Sequence, residues 1–401
     1  MIRKKISLLS LILISVLLFT SCLNPVQLSQ RAIVQAVGVD LEDDGQLKLT
    51  LQVFAPAVNG GGGISATADN AKIIEAKGET VSQAVQNATL VQGKQLFVGH
   101  NRVIIIGAEL AKKGLNPILS YFSSSPYSRQ SVQLIMAKDR ADAILKARIN
   151  QGMLPAETLE KIIKNTQESG IFPTVQLYRF LQTLESEHDS AVLPVMSLVQ
   201  KSPENSSNQD GGSSDQQGGG DQIDEVSSVA ISEVAVFSGT KLAGMLGERD
   251  SRGLLWIRGD VKKTVLTLSA GQYEKVSLQV HDASSRLTPK IQGGKAAFSL
   301  SVHCDAAIRE TVTQEGYVPR SEDVDLLASA AEKLIREECL AAFQHAGREF
   351  RTDVFHMGNL VWQKDAAFWK TLRENWQEQM DQVGFTVDVA VDLDRVGLEF
   401  R

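Results

Sequence analysis

The stretch Ala32 to Phe54 reads AIVQAVGVDLEDDGQLKLTLQVF and predicts the hairpin from which the first sheet of the fold is built. Two strands are expected, Ala32 to Asp40 and Leu47 to Phe54, because apolar and polar residues alternate in the second of them. The turn Asp43-Asp44-Gly45 separates the strands, and Asp-Gly between two such runs is a strong hairpin signal. This antiparallel opening favours a mixed sheet over a purely parallel one.

Strands and helices alternate in the residues that follow the hairpin. The predicted elements are strands at Lys72 to Gly78, Arg102 to Ile106 and Ser131 to Ala137, and helices that begin near Val81, Glu109, Arg140, Glu157 and Thr174. Together they predict an N-terminal α+β domain at residues 22–201.

Residues 202–222 read SPENSSNQDGGSSDQQGGGDQ and separate this domain from the rest of the chain. The segment contains no aliphatic or aromatic residue, so it buries no apolar surface that would offset the entropy lost on ordering. It is therefore predicted to be a flexible linker.

Beyond the linker we expect a middle β-rich domain at residues 223–290 and a C-terminal α+β domain at residues 291–401. The predicted elements are strands at Val226 to Phe237, Lys241 to Leu246, Gly253 to Arg258, Lys263 to Leu268, Tyr273 to His281, Ala296 to Cys304 and Phe385 to Leu393, a turn-rich segment at Ser284 to Gly294, and helices at Asp323 to Ala346 and Asp365 to Gln382. The predicted fold class is α+β, with three mixed α/β domains on largely antiparallel or mixed sheets with packed helices.

The first residues, MIRKKISLLSLILISVLLFTSC, form the pattern of an export signal. Three cationic residues precede an apolar run from Ile6 to Phe19, which is shorter than the roughly 20 residues of a membrane span. Small residues then lead to Cys22, an arrangement similar to the lipobox of bacterial lipoproteins. We therefore expect residues 1–21 to be a signal peptide and Cys22 to carry a diacylglycerol anchor; an ordinary secretory signal is the alternative.

Charge and composition exclude several partner classes. Without Arg3, Lys4 and Lys5 of the signal, 38 basic residues (41 − 3) face 47 acidic ones, a formal charge of −9. An acidic chain is a poor match for nucleic acid, so no nucleic-acid partner is expected. The expected membrane contact is the lipid on Cys22 rather than a basic patch.

No catalytic, cofactor or metal motif emerges from the spacing of chemically active residues. The histidines are scattered, and the nearest approach to a cluster, Asp353 with His356, is interpreted as surface or core-edge structure. Cys304 and Cys339 are either one disulfide or buried apolar residues, and the helical stripe around Cys339 favours the second. No enzyme activity is expected.

Several stretches, in this order, resemble the Ger(x)C family of spore germinant receptor C subunits. After the lipobox these are VGVDLEDDGQLKLTLQVFAP (Val37 to Pro56), LFVGHNRVIIIGAELAKKGL (Leu96 to Leu115), Ser128-Arg129, AVFSGTKLAGMLGERDSRGLLWIR (Ala235 to Arg258) and DVFHMGNLVWQKDAAFWKTLRENW (Asp353 to Trp376). One departure is that LNPVQLSQRAI follows Cys22, where family members commonly carry a tryptophan.

The resemblance implies a non-catalytic, lipid-anchored subunit on the outer face of the spore inner membrane. Its implied partners are the membrane-embedded A and B subunits of a nutrient germinant receptor, and its implied role is assembly or signal relay without a cofactor. Cys22 is the one functional residue that transfers. Gly38, Gly253, Asp353 and Gly358 match family positions that turn geometry and capping explain equally well.

A lipid-tethered solute-binding protein is the alternative function. Such proteins usually build two similar lobes around a cleft, whereas the two halves of this chain differ in pattern. A lipoprotein enzyme is disfavoured because no catalytic constellation is present.

Overall fold

The computed structural model describes residues 31–55, 71–125, 128–147, 155–186, 188–199, 228–315, 317, 320 and 323–394. The predicted signal peptide, Cys22 and the predicted linker at residues 202–222 lie outside these ranges. The described strands form two sheets, and helices pack against both of them. The predicted α+β class with mixed sheets is confirmed.

The first sheet contains nine of the described strands, in the order β3-β2-β1-β5-β6-β7-β8-β9, with the short β4 beside β1. Their bounds are β1 Arg31–Leu41, β2 Leu47–Phe54, β3 Ala71–Gly78, β4 Gln95–Phe97, β5 Val103–Ile106, β6 Gln133–Ala137, β7 Val192–Val199, β8 Ser228–Ser238 and β9 Lys241–Leu246. Strands β1, β5, β6 and β7 run parallel, and antiparallel pairs extend the sheet on both sides. The predicted opening hairpin is present as β1 and β2.

Helices cover this sheet on both faces. They are α1 Val81–Gln92, α2 Ala108–Lys113, α3 Asn116–Ser124, α4 Ala141–Lys146, α5 Pro155–Glu168 and α6 Leu177–Glu185. Strand β5 shows why both faces are apolar. Ile104 belongs to the core that contains residues of α1, α2, α3 and α6, and Ile105 belongs to the core that contains residues of α4 and α5. A central parallel strand buried on both sides reads as a continuous apolar run.

The second sheet has the order β10-β11-β12-β13. Its strands are β10 Thr264–Ala270, β11 Tyr273–Gln292, β12 Lys295–Thr313 and β13 Gly384–Asp394; the last pairs parallel to β12 and the other neighbours pair antiparallel. A two-residue turn, Gly293-Gly294, joins β11 to β12 with φ of 58° and 74°. Both values lie in the left-handed region that glycine adopts readily, as a tight hairpin turn requires.

Helices cover the inner face of the second sheet. They are α7 Glu248–Arg258, α8 Asp323–Ala342, α9 Met357–Lys364, α10 Ala366–Leu372 and α11 Trp376–Gln379; a π-helical segment, Phe343–Glu349, extends α8, and a 3-10 turn, Arg373–Asn375, joins the last two. Cys304 of β12 and Cys339 of α8 lie in this core as buried free thiols, in agreement with the packing interpretation.

A buried ion pair joins α7 to α8. Arg252 Nε donates to Glu338 Oε2 at 2.9 Å, and the same carboxylate accepts from Trp256 Nε1 at 3.2 Å. A Cβ on Gly253 would overlap the Glu338 carbonyl oxygen, so the residue type at this position is set by the close approach of the helices.

Three local predictions are corrected by the structure. Gly253 to Arg258 is helical, because it completes a helix that starts with acidic residues and ends at Gly259 in the left-handed region. The predicted turn-rich segment Ser284 to Gly294 continues strand β11 as far as Gln292, and Gly293-Gly294 form the turn. Pro289 is tolerated in this strand because β10 pairs only as far as Val280 and leaves that edge open. The predicted single helix from Asp365 to Gln382 is broken into α10, the 3-10 turn and α11.

The two sheets also divide the chain differently from the predicted domains. Strands β8 and β9, assigned from sequence to the middle domain, extend the first sheet because β8 pairs with β7 across residues 200–227. Strand β11 runs through the boundary predicted at residue 290. One apolar core contains residues of β7 and β8 together with the second sheet, so the two sheets are packed against each other.

Candidate functional site

A cavity lies where the two sheets meet. It has a volume of about 650 Å³, within the range of small-molecule sites. Its walls are helix α6, the segment that leads into β7, the C-terminal end of α7 and the N-terminal end of α9. We refer to it as the inter-sheet cleft.

The side chains that line the cleft carry charges of both signs. His356 and Asp189 contact each other across it, with 3.1 Å between Nδ1 and Oδ2. The second oxygen of Asp189, Oδ1, is buried and has no hydrogen-bond partner among the described residues. Arg179 and Arg258 supply further positive charge, and the lining thus offers donors and acceptors at close range.

The buried residue Asp353 holds the N-terminal end of α9, which lines the cleft. Its buried carboxylate accepts hydrogen bonds from the backbone N–H groups of Met357 (2.9 Å) and Gly358 (2.6 Å) and from Trp376 Nε1 (2.8 Å). The carboxylate thereby caps the start of α9 and links it to α11. Burial raises the pKa of Asp353, although the N–H donors oppose the rise.

The same aspartate connects the two sheets. Ser190, just before β7, donates its N–H to the Asp353 carbonyl at 2.9 Å, and the Asp353 N–H returns a bond of 3.2 Å to Ser190 Oγ. Arg258 at the end of α7 donates from Nε to the Val354 carbonyl at 2.6 Å. Burial lowers the pKa of Arg258, while Asp260, Asp189 and Asp353 oppose the shift. These hydrogen bonds therefore join the segment before β7 and the end of α7 to the segment before α9, all of which line or adjoin the cleft.

The arrangement is suited to bind a small polar molecule. Guanidinium, imidazole and carboxylate groups can hold a small polar molecule by charge-assisted hydrogen bonds. His356 is oriented by Asp189, but within the described residues no serine or cysteine donates a hydrogen bond to it.

Sequence reasoning treated Asp353 with His356 as surface or core-edge structure, and the structure separates their roles. Asp353 is fully buried and structural, whereas His356 is half-buried and faces the cleft. Asp189, Arg179 and Arg258 were not singled out from sequence. They lie far apart in the chain, and no local spacing signals their approach.

The predicted lipidation site, Cys22, lies outside the described residues, so the structure does not relate it to the cleft. Of the other family positions, Gly253 packs against α8, and Gly358, in the first turn of α9, lies against Trp369. None of the helices within the described ranges has both the length and the apolar character needed to cross a membrane.

Comparison with known proteins places both halves of the chain in one class. Residues 24–198 match the family described as spore germination protein N-terminal domain, and residues 232–397 match the one described as spore germination B3/GerAC like, C-terminal. The chain belongs to the Ger(x)C family, the C subunits of germinant receptors in spore germination.

Particular relatives support this assignment. Spore germination protein KC of Bacillus subtilis (strain 168) is 23% identical over 409 aligned positions, which cover 99% of this chain and 97% of the relative. Spore germination protein GerQC of Bacillus cereus is 27% identical over 165 positions, or 41% of this chain and 44% of the relative.

The fold agrees with a solved structure. The crystal structure of the GerBC protein superposes with a TM-score of 0.55 at 15% identity, covering 89% of this chain and 96% of that one. At that identity the likeness concerns the fold alone. The resemblance seen in the sequence is thus confirmed at the level of family and fold.

Proposed function

We propose that this chain is a non-catalytic, lipid-anchored subunit of a nutrient germinant receptor. In this proposal it sits on the outer face of the spore inner membrane, tethered by the diacylglycerol on Cys22. It acts by assembly or signal relay with the membrane-embedded A and B subunits. The observation that carries the proposal is the family match, which spans both the N-terminal and the C-terminal parts of the chain.

The N-terminal sequence supports the anchor. Two acyl chains bind a membrane stably where one binds marginally, since each buried methylene contributes roughly 0.8 kcal/mol. Only residues 23–30 separate Cys22 from the start of β1 at Arg31, so the folded body would stay within about 30 Å of the lipid.

An exposed apolar pair lies at the same end of the body. Strand β4 pairs with the first residues of β1, and Leu90 and Val91 come shortly before it at the end of α1. Their exposed fractions, 75% and 74%, are the highest among the large apolar side chains of the described residues. A membrane surface that receives this pair fits the tether, which also begins at this end.

The anchor is tested by replacing Cys22 with alanine in the sporulating cell. We expect the variant to lose incorporation of labelled fatty acid, to leave the membrane fraction and to impair germination. Cys304→Ala is the matched control, because that thiol is buried in the second core and should not be acylated. A Cys22→Ala protein that stays in the membrane fraction and supports normal germination would contradict the proposal.

Capture of a small nutrient by the chain itself is the second candidate, and the inter-sheet cleft is the observation that favours it. The cleft combines a volume of about 650 Å³ with Arg179, Arg258 and the Asp189–His356 pair. Thermal unfolding of the full-length chain with amino acids or sugars separates the candidates. A saturable shift that Arg179→Gln removes supports capture, and the absence of any shift supports a purely assembling or relaying subunit.

A further inference from the structure

Three aspartates stand side by side on the outer face of the second sheet. Asp282 of β11 is the register partner of Asp305 of β12, which is in turn the partner of Asp392 of β13. The neighbours Cys304 and Val391 point inward to the core under α8, so all three carboxylates lie on the opposite side. The row crosses three adjacent strands.

A histidine completes this group. His303 lies two residues before Asp305 on the same face of β12, and its Nε2 is 3.7 Å from Asp305 Oδ1 and 3.7 Å from Asp392 Oδ2. One ligand atom from each of the three residues lies within 4.8 Å of the others. Ligands in a tetrahedral zinc site, with bonds of about 2.1 Å, are about 3.4 Å apart, so small side-chain rotations bring the three atoms to coordinating distance.

The row is unfavourable without a cation. Like charges directly opposite each other on neighbouring strands destabilise a sheet. In the described part of the chain, the ion pairs of Asp305 and Asp392 both go to His303 and none goes to a lysine or arginine. By contrast, the carboxylate of Asp142, in helix α4 against the first sheet, is matched by several cationic side chains.

We propose that His303, Asp305 and Asp392 bind a divalent transition-metal ion, with Asp282 next to the site as a further carboxylate. One imidazole nitrogen with two carboxylate oxygens suits zinc or manganese better than calcium, which takes oxygen ligands only. Three protein ligands leave a coordination position open to the solvent. None of these four residues lines the inter-sheet cleft.

Isothermal titration of the full-length chain in detergent, after removal of metals by a chelator, tests the site with zinc, manganese and calcium chloride. We expect one equivalent of zinc to bind, and His303→Gln and Asp392→Asn each to weaken binding at least about tenfold, the scale at which even outer-shell partners of metal ligands act. His345→Gln is the control, because His345 also contacts an aspartate, Asp250 Oδ2 at 2.6 Å, but is not part of the group of three.

Thermal unfolding provides a second test, because the difference in melting temperature between Asp392→Asn and wild type should reverse its sign between chelator and zinc. With chelator, Asp392→Asn is expected to raise the melting temperature by roughly 1–3 °C, since it removes one of the adjacent like charges. With zinc, the wild-type chain should gain stability and the variant should gain much less. The proposal is overturned if wild type shows no saturable zinc binding, if both variants bind zinc as wild type does, or if calcium binds as tightly as zinc.

Discussion

The two sheets of this chain bury their apolar residues in different ways. The first sheet is covered on both faces, so its central strands are apolar throughout, as in β5 with Val103 to Ile106 all buried. The second is covered on one face, and β13 alternates between buried and exposed residues. The first sheet is thus covered by helices on both faces, whereas the second leaves one polar face exposed to solvent.

The arrangement of charged residues also differs between the two sheets. At one end of the first sheet, Asp142 lies in a network in which Lys48 Nζ, Arg140 Nε and Lys146 Nζ approach its carboxylate to 2.8, 3.0 and 3.6 Å. The second region instead buries one ion pair, Arg252 with Glu338, between two helices. When one residue of a network is removed, the remaining charges keep other partners. When one residue of a single buried pair is removed, an isolated buried charge remains.

Removal of Glu338 is expected to have the largest effect. Glu338→Ala leaves Arg252, whose side chain is only 12% exposed, and the Trp256 Nε1 donor without their acceptor. Breaking a buried pair in this way costs about 3–5 kcal/mol, so the free energy of unfolding in urea should fall by that amount.

The adjacent residue provides the control for this change. Glu337 pairs with Arg249 at 3.4 Å, and both side chains are about half exposed. Glu337→Ala should change the free energy of unfolding by no more than about 0.5 kcal/mol. Similar losses for the two variants would mean that α7 and α8 are not held by the buried pair.

Sequence reasoning succeeded where a pattern is local. The β1–β2 hairpin and the alternation in β13 follow from neighbouring residues, and both are present. It failed for Gly253 to Arg258, since a short buried apolar run suits a strand and a buried helix equally well. The cleft and the Asp282–Asp305–Asp392 row depend on register and on contacts between distant segments, which periodicity does not encode.

The network around Asp142 is expected to give an intermediate effect that depends on pH. Burial disfavours the charged form of Asp142, but hydrogen bonds from Arg140 and Lys48 outweigh it and hold its pKa well below the ordinary value. Asp142→Asn should therefore lower the free energy of unfolding by about 1–3 kcal/mol at pH 7. Urea unfolding at a series of pH values measures this difference.

The sign of the pH dependence follows from the lowered pKa. The folded state binds this proton less readily than the unfolded state, so the contribution is present above an unfolded pKa of about 4 and is lost as the pH falls below it. Wild type and Asp142→Asn should converge in acid. Asp388→Asn, on the exposed face of β13, should show no such difference, and a gap that stays constant down to pH 3 would contradict the network's role.

Deletion of residues 202–222 is expected to have the smallest effect. These residues connect β7 to β8 within the first sheet, where Val199 and Ser228 are register partners, so the ends of the connection are already adjacent. After the deletion, residues 200, 201 and 223–227 remain, enough for a hairpin loop. Loop-closure entropy favours the shorter connection by about 0.6 kcal/mol for each halving, so stability should rise by about 1 kcal/mol.

Deleting Gly293-Gly294, the tight turn between β11 and β12, is the contrasting control and should destabilise the second sheet strongly. A large loss of stability from the 202–222 deletion would mean that this connection contributes packed structure rather than a passive link between two strands of one sheet.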